Sequence, residues 1–279
     1  MNVRRPRGAI RDALWGLFAL ALGAHAQEAY DCVINPRATI QLGSSEDGVL
    51  AEVLVSRGDS VEKGQLVARL ESEVERLSAE LARLRAESDV EQRSKQAQVE
   101  YRTREAERLV GLRESRSVAE NLYDEARIER RLAELGLEQA QMDHEITLVE
   151  YDRAKAALER RAVRSPVNGV VVDVFMQPGE YVHEQRELMT LAEVDPLNVE
   201  VFLPVAAYGT VVKGMRAEVI PEQPVGGVRE AEVTVVDSVF DAASRTFGVR
   251  LELPNPGYAL PAGLRCTVKF GPSTDADGG

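Results

Sequence analysis

The chain has 279 residues, and its 46 aspartates and glutamates outnumber 34 lysines and arginines for a formal charge of −12. An acidic chain is poorly suited to nucleic acid, whose phosphates need clustered cations. Three histidines and two cysteines, with no metal-ligand spacing and no nucleophile–base pairing among them, point away from an enzyme, a cofactor and a metal centre.

Residues 1–26 read as an address rather than part of the fold. Arg4, Arg5, Arg7 and Arg11 make a basic start, Ala13–Gly23 is a short apolar run, and Ala24-His25-Ala26 has the small-x-small form of a signal-peptidase site. The run is far shorter than the roughly 20 residues a helix needs to cross a bilayer, so cleavage after Ala26 is expected. Losing four arginines and Asp12 takes the charge from −12 to −15. Tyr30-Asp31 before Cys32 lack the small and aliphatic residues of a lipobox. A soluble product outside the cytoplasm is predicted. In that oxidising setting Cys32 and Cys266 are a candidate disulfide, two separate buried thiols being the alternative.

From residue 47 the chain reads DGVLAEVLVSRGDSVEKGQLVARLE, and from 168 NGVVVDVFMQPGEYVHEQRELMTLA, aligned without a gap at an offset of 121. Gly48/Gly169, Gly58/Gly179, Val61/Val182 and Leu70/Leu191 coincide. Each copy is a glycine, an alternating strand, a tight turn and a second apolar strand. Val49, Ala51, Val53 and Val55 are expected on one buried face, with Val170, Val172, Val174 and Met176 as counterparts. Gly58 and Gly179 fall where a hairpin needs a positive φ. One hairpin cannot bury its apolar face alone, so the copies should pair about a pseudo-twofold axis as a flattened sandwich of eight short strands. The pattern resembles the biotinyl/lipoyl carrier domain. Carriers join their halves by a turn bearing the modified lysine; here a long insertion fills that junction and Lys63 and Lys155 lie elsewhere, so no cofactor is implied.

Between Glu71 and Arg161 there is no proline and only Gly111 and Gly136 among the glycines, with many Glu, Arg, Ala, Leu and Gln. These are strong helix formers. Val74, Leu77, Leu81 and Leu84, then Leu132, Leu135, Met142, Ile146, Val149 and Ala156, recur in steps of three and four, with Gln139 and Arg153 filling the series. That spacing predicts a coiled-coil seam. A break at 111–120 makes two antiparallel helices of about 40 residues, each about 60 Å long. From Asp195 to Phe270 five or six β-rich runs separated by Gly or Pro turns predict a small barrel, and the small, polar tail after Gly271 should be disordered.

Three stretches together, GVLAEVLVSRGDSVEKGQLVARLES, AVRSPVNGVVVDVFMQPGEYV and VDSVFDAASRTFGVRLELPNPGYALPAGLRCTVKF, resemble the periplasmic adaptors, or HlyD-type membrane fusion proteins, of resistance-nodulation-division (RND) efflux systems. The last carries the family's barrel signature in Asp241, Ser244, Arg245, Thr246, Val249, Arg250, Asn255, Leu260 and Gly263. The resemblance implies a non-catalytic α+β multidomain protein, elongated, with a helical hairpin inserted in a split lipoyl-like sandwich. It also implies three partners: an inner-membrane transporter, an outer-membrane duct, and further copies of the chain in a ring, often of six.

The implied layout is 1–26 signal peptide, 27–42 a strand joining the barrel, 43–71 and 162–193 the two sandwich halves, 72–161 the hairpin, 194–271 the barrel and 272–279 a tail. A family tip motif of Arg, Leu and Ser falls on Arg108, Leu112 and Ala119, the alanine replacing a serine that could cap the second helix, a role Ser117 could take. Many members carry a further membrane-proximal domain. Here it is expected to be absent or reduced to a strand near Cys32–Leu42, placed beside LRCTVKF, which would bring Cys32 toward Cys266. An ABC-type exporter, a type I system and a periplasmic coiled-coil scaffold or cell-wall regulator are the alternatives. The barrel signature favours the RND type, and a cleavable leader disfavours type I.

Overall fold

The computed structural model describes residues 28–114, 119–183 and 186–271; the expected leader, the tail, and Ser117 and Val118 of the tip lie outside them. The strands are β1 (Ala29–Gly43), β2 (Gly48–Val53), β3 (Ser60–Val61), β4 (Leu66–Leu70), β5 (Ala162–Arg164), β6 (Gly169–Val174), β7 (Tyr181–Val182), β8 (Glu187–Pro204), β9 (Arg216–Pro221), β10 (Arg229–Val236), β11 (Thr246–Leu253) and β12 (Leu264–Phe270). Between β4 and β5 come helices α1 (Glu73–Ala86), α2 (Val90–Glu114) and α3 (Glu120–Glu159).

The sequence repeat is a structural repeat. At the offset of 121, β2 maps onto β6, β3 onto β7 and β4 onto the start of β8. Pairings map as well: Leu50 opposite Leu70 becomes Val171 opposite Leu191, and Gly48 opposite Val182 becomes Gly169 opposite Val61. With β5 standing for the end of β1, two equivalent layers result, β5-β4-β2-β7 and β1-β8-β6-β3. Leu50, Val67, Leu70, Val171, Leu188 and Leu191 fill the core between them.

The inward face differs from the expected alternation. Leu50 and Val171 are buried, whereas Ala51 and Val172 face solvent. Register shifts between Leu50 and Glu52 and between Val171 and Asp173 explain it. Each bulge inserts one residue, so the alternation resumes in phase at Val53 and Val174.

β1 and β8 each run through two units. β1 pairs with β12 over Ala29–Ile34 and with β8 over Cys32–Gly43. The circuit β1-β12-β9-β10-β11-β8 returns to β1 as a closed six-stranded barrel, which leaves no open edge. Ile34, Val199, Leu203, Val219, Phe247 and Leu251 pack inside it. Residues 193 and 194, expected to part sandwich from barrel, therefore lie inside one continuous strand. The strand expected at 27–42 likewise serves both units, bending at a register shift between Pro36 and Ala38, where proline's missing N–H does no harm.

The long insertion is a helical hairpin, but not of two 40-residue helices. Its outgoing arm is broken at Glu87–Asp89 into α1 and α2, and both pack on α3. Ser88 and Asp89 bond readily to nearby backbone, which favours a helix end there. The seam is also on the other side. Ala79, Ala86, Ala106, Ala126, Ala133 and Ala140 are buried between the arms. The expected seam, Val74, Leu77, Leu81, Leu84, Leu132, Leu135, Met142, Ile146, Val149 and Ala156, is exposed, as are Gln139 and Arg153. Two residues on a helix are about 200° apart, so a leucine two places from a buried alanine points away from the partner arm.

Candidate docking surfaces

The hairpin offers three features: a fixed base, two apolar edges and a tip. At the base, Arg161 donates from Nη1 to the Asp47 carbonyl at 2.8 Å and from Nη2 to the Glu75 carboxylate at 2.6 Å. The Leu70 N–H donates to the Arg161 carbonyl at 2.9 Å. A Cβ on Gly48 would lie 2.8 Å from Nη1 of Arg161, so glycine leaves room for the guanidinium. Gly169, its counterpart, is needed against backbone instead, the Ala192 carbonyl oxygen lying 2.2 Å from where a Cβ would be. Gly58 and Gly179 hold φ of 93° and 92° in the turns, a region open to glycine at little cost.

The edges are the outward leucine stripes. α1 carries Val74, Leu77, Leu81 and Leu84, from 51% to 73% exposed, and α3 carries Leu132, Leu135, Met142, Ile146 and Val149, from 43% to 68% exposed. Because the arms meet through alanine, the stripes lie on opposite sides of the hairpin. They differ in sequence as well as in position. At the far end, Arg108 and Leu112 occupy the last turns of α2, and Ala119 is the N-cap of α3 without a side-chain capping bond.

In the barrel, the signature residues build two local structures. The Asp241 carboxylate accepts from the N–H of Ala243 at 2.8 Å and of Ser244 at 3.4 Å. Ser244 and Thr246 hydroxyls lie 2.8 Å apart, and Arg245 turns the chain at φ 58°. These bonds, first that from Ala243, hold the Asp241 carboxyl below the usual aspartate range. The second structure is the sandwich–barrel junction. Asn255, 1% exposed, donates to the carbonyls of Val194 and Leu260 and accepts from the Leu260 N–H, all within 2.9 Å. Gly263, at φ 88°, donates to the Ile34 carbonyl at 2.7 Å.

Cys32 and Cys266 stand opposite each other in β1 and β12 as a disulfide, Cα atoms 4.9 Å apart. Among the described residues no group of three His, Cys, Asp or Glu could hold a metal ion. Lys63 lies in the β3–β4 turn and Lys155 on α3, neither at the junction of the halves. Sequence reading missed the Arg161 clamp and the alanine seam. The alanine heptads 79/86 and 126/133/140 were the available signal for the second.

A family model for the CzcB-like barrel-sandwich hybrid domain matches residues 39–193, more than half of the chain. The chain belongs to that family. A CusB-like β-barrel domain model matches residues 197–274. The cobalt-zinc-cadmium resistance protein CzcB of Cupriavidus metallidurans is 28% identical over 222 residues, covering 79% of this chain and 40% of CzcB. The chain spans about half the length of the first curated relatives it matches. Among solved structures, MacA from Actinobacillus actinomycetemcomitans superposes with a TM-score of 0.64 at 17% identity, covering 88% of this chain and 78% of MacA. The membrane fusion protein Spr0693 of Streptococcus pneumoniae gives 0.58 at 13% identity, covering 88% and 100%. The fold is thus that of the membrane fusion proteins.

Proposed function

We propose that this protein is the periplasmic adaptor of a tripartite efflux system. It leaves its leader near Ala26 and joins an inner-membrane transporter of the RND type to an outer-membrane duct. Copies stand side by side in a closed ring, six in the simplest case, and the tip residues Arg108, Leu112 and Ala119 face the duct. The observation that carries this reading is the pair of unlike leucine stripes on opposite edges of the hairpin. Unlike patches on opposite sides make heterologous contacts, which close into rings when the rotation allows. Apolar stripes of this length are out of place on a free monomer. The barrel signature around Asp241 favours an RND partner over an ABC exporter.

Two edge variants test it. Leu81→Glu with Leu84→Glu spoils the α1 edge, and Leu132→Glu with Leu135→Glu spoils the α3 edge; all four side chains are exposed, so helix content should not change. Sedimentation should show large assemblies for the natural protein, none for either variant alone, and one-to-one pairs when the variants are mixed. Assemblies of undiminished size from either variant would overturn the ring, and intact export in cells carrying them would overturn the adaptor reading.

A further inference from the structure

The two leucine stripes stand at different heights on the hairpin. Across the arms the Leu70 N–H donates to the Arg161 carbonyl at 2.9 Å, the Lys95 side chain covers Gly136, and Arg102 meets Glu129 at 2.8 Å. Each residue outward on one arm is thus matched by one residue outward on the other, with no slip across the break at Glu87–Asp89. By that register residues 74–84 stand level with residues 147–157 of α3, whereas the α3 stripe occupies residues 132–149, nearer the tip. Copies packed side by side at one height would therefore mismatch. Leu81 would meet Glu150 of its neighbour, and Leu135 and Met142 would meet Gln96 and Asp89.

Period and charge say what fits each stripe. Both step by three and four, at 74, 77, 81 and 84 on α1 and at 132, 135, 139, 142, 146 and 149 on α3, the spacing with which helices mesh knobs into holes. Antiparallel helices with these steps mesh in registers one heptad apart. One heptad outward from level, Val74, Leu77 and Leu81 of one copy fall on Val149, Ile146 and Met142 of the next, and only Leu84 falls on a polar residue, Gln139. Val90, exposed beyond the break, then comes within one residue of Leu132. Two heptads outward, Leu77 falls on Gln139, and Ile146 and Val149 are left bare. Charge selects unlike edges. Residues 132–149 hold four carboxylates, Glu134, Glu138, Asp143 and Glu145, and no lysine or arginine, whereas residues 74–84 hold two of each sign. Two α3 edges would set acid against acid, a costly juxtaposition that an α1 edge avoids.

We propose that neighbouring copies pack in this staggered register, Leu81 of one copy on Met142 of the next, so that the arms of the ring lean. The inference rests on the ring reading above. In a closed ring all copies share one height, and a stagger between neighbours becomes a tilt of every arm. Met142 in place of Glu150 is a shift of eight residues, about 12 Å, across a repeat of two interhelix spacings, about 18 Å, which gives a lean of roughly 35°.

Disulfide trapping in the full-length protein tests it. Leu81→Cys with Met142→Cys is oxidised with copper phenanthroline; the two positions lie on opposite edges of one hairpin, so a bridge must join two copies. Leu81→Cys with Val149→Cys reads the level register, and Leu81→Cys with Leu135→Cys the two-heptad one. All four side chains are exposed, and one heptad is about 10.5 Å along a helix, more than the roughly 7 Å a disulfide can span. The 81/142 pair should give a ladder of covalent oligomers, at least about five times faster than either other pair. Faster bridging at 81/149 or 81/135 would overturn the stagger and leave the ring standing. So would the absence of bridging in all three pairs from protein that still sediments as large assemblies. Dimers from Leu81→Cys alone or Met142→Cys alone would mean that like edges meet, which overturns both ring and stagger. A natural protein that forms no assemblies would overturn the ring itself, and the stagger with it.

Discussion

Removing the Arg161 guanidinium tests how the arm is held to its base. Arg161→Ala leaves the Glu75 carboxylate and the Asp47 carbonyl without a partner, at sites whose bonds are 2.6 and 2.8 Å long. A hydrogen bond to a charged group contributes roughly 1.5–3 kcal/mol, and breaking a buried ion pair costs roughly 3–5 kcal/mol. The two side chains are 22% and 21% exposed, so water takes over part of the role and a loss of about 2–3 kcal/mol is expected. Gly48→Ala should act through the same contact. Its Cβ would sit 2.8 Å from Nη1 of Arg161 but 3.7 Å from the nearest Leu70 atom, so it displaces the guanidinium and little else. Alone it should cost about 1–2 kcal/mol, a share of what Arg161 contributes. In the Arg161→Ala background it should cost nothing, and alanine's smaller entropy loss could return roughly 0.5 kcal/mol. Amide exchange at Leu50 and Leu70, which donate to Glu180 and Arg161 carbonyls at this base, reads the local opening energy directly. An equal cost for Gly48→Ala in both backgrounds would refute the reasoning.

Replacing Cys32 and Cys266 together by alanine removes a link spanning 234 positions, a loss of about 2–5 kcal/mol. Exchange should quicken over Ala29–Ile34 and stay slow over Ala38–Gly43, which β8 holds unaided; a uniform change along β1 would contradict this. Because the folded pKa of Asp241 is depressed, its stabilisation is present above the unfolded value and is lost as pH falls through the folded one. Asp241→Asn should therefore loosen the turn at neutral pH, the difference from the natural protein fading in strong acid. Exchange at the Ser244 amide follows it, and a pH-independent difference would remove the charge from the argument. Arg108→Asp or Leu112→Ser should abolish export while leaving helix content intact, scored as cell susceptibility to the exported compound. Unchanged susceptibility would remove the tip from duct docking.

The sandwich was legible because its two halves are the same solution written twice: the 121-residue offset carries strands, turns and pairings alike. Its inward face was misread because a one-residue bulge at Ala51 and Val172 shifts the alternation, and periodicity counted by twos cannot register an inserted residue. The hairpin was legible from composition. Which face lay inside was not, since leucine and alanine stripes of the same period sit on opposite sides of one helix. A hydrophobicity count picks the leucines, whereas close packing of two long arms favours the smaller side chain. The Arg161 clamp was invisible because Asp47, Glu75 and Arg161 come together only once the strands pair. The barrel signature was recognisable as a pattern, but that Asp241 builds a turn and Asn255 a junction follows only from their hydrogen bonds.

β1 and β8 pass from sandwich to barrel without a linker, bonded to each other along the way. Such a joint behaves mechanically as a strut. A pull along its axis loads the rungs of the β1–β8 ladder together, in shear, instead of peeling them one at a time. Twist imposed at the barrel would reach the base of the arm through the same two strands, with Asn255 bracing the point where they change course. A push at the barrel therefore reaches the base of the arm through two strands whose pairing is interrupted at residue 37 and residues 194–196, where the give in the joint is concentrated.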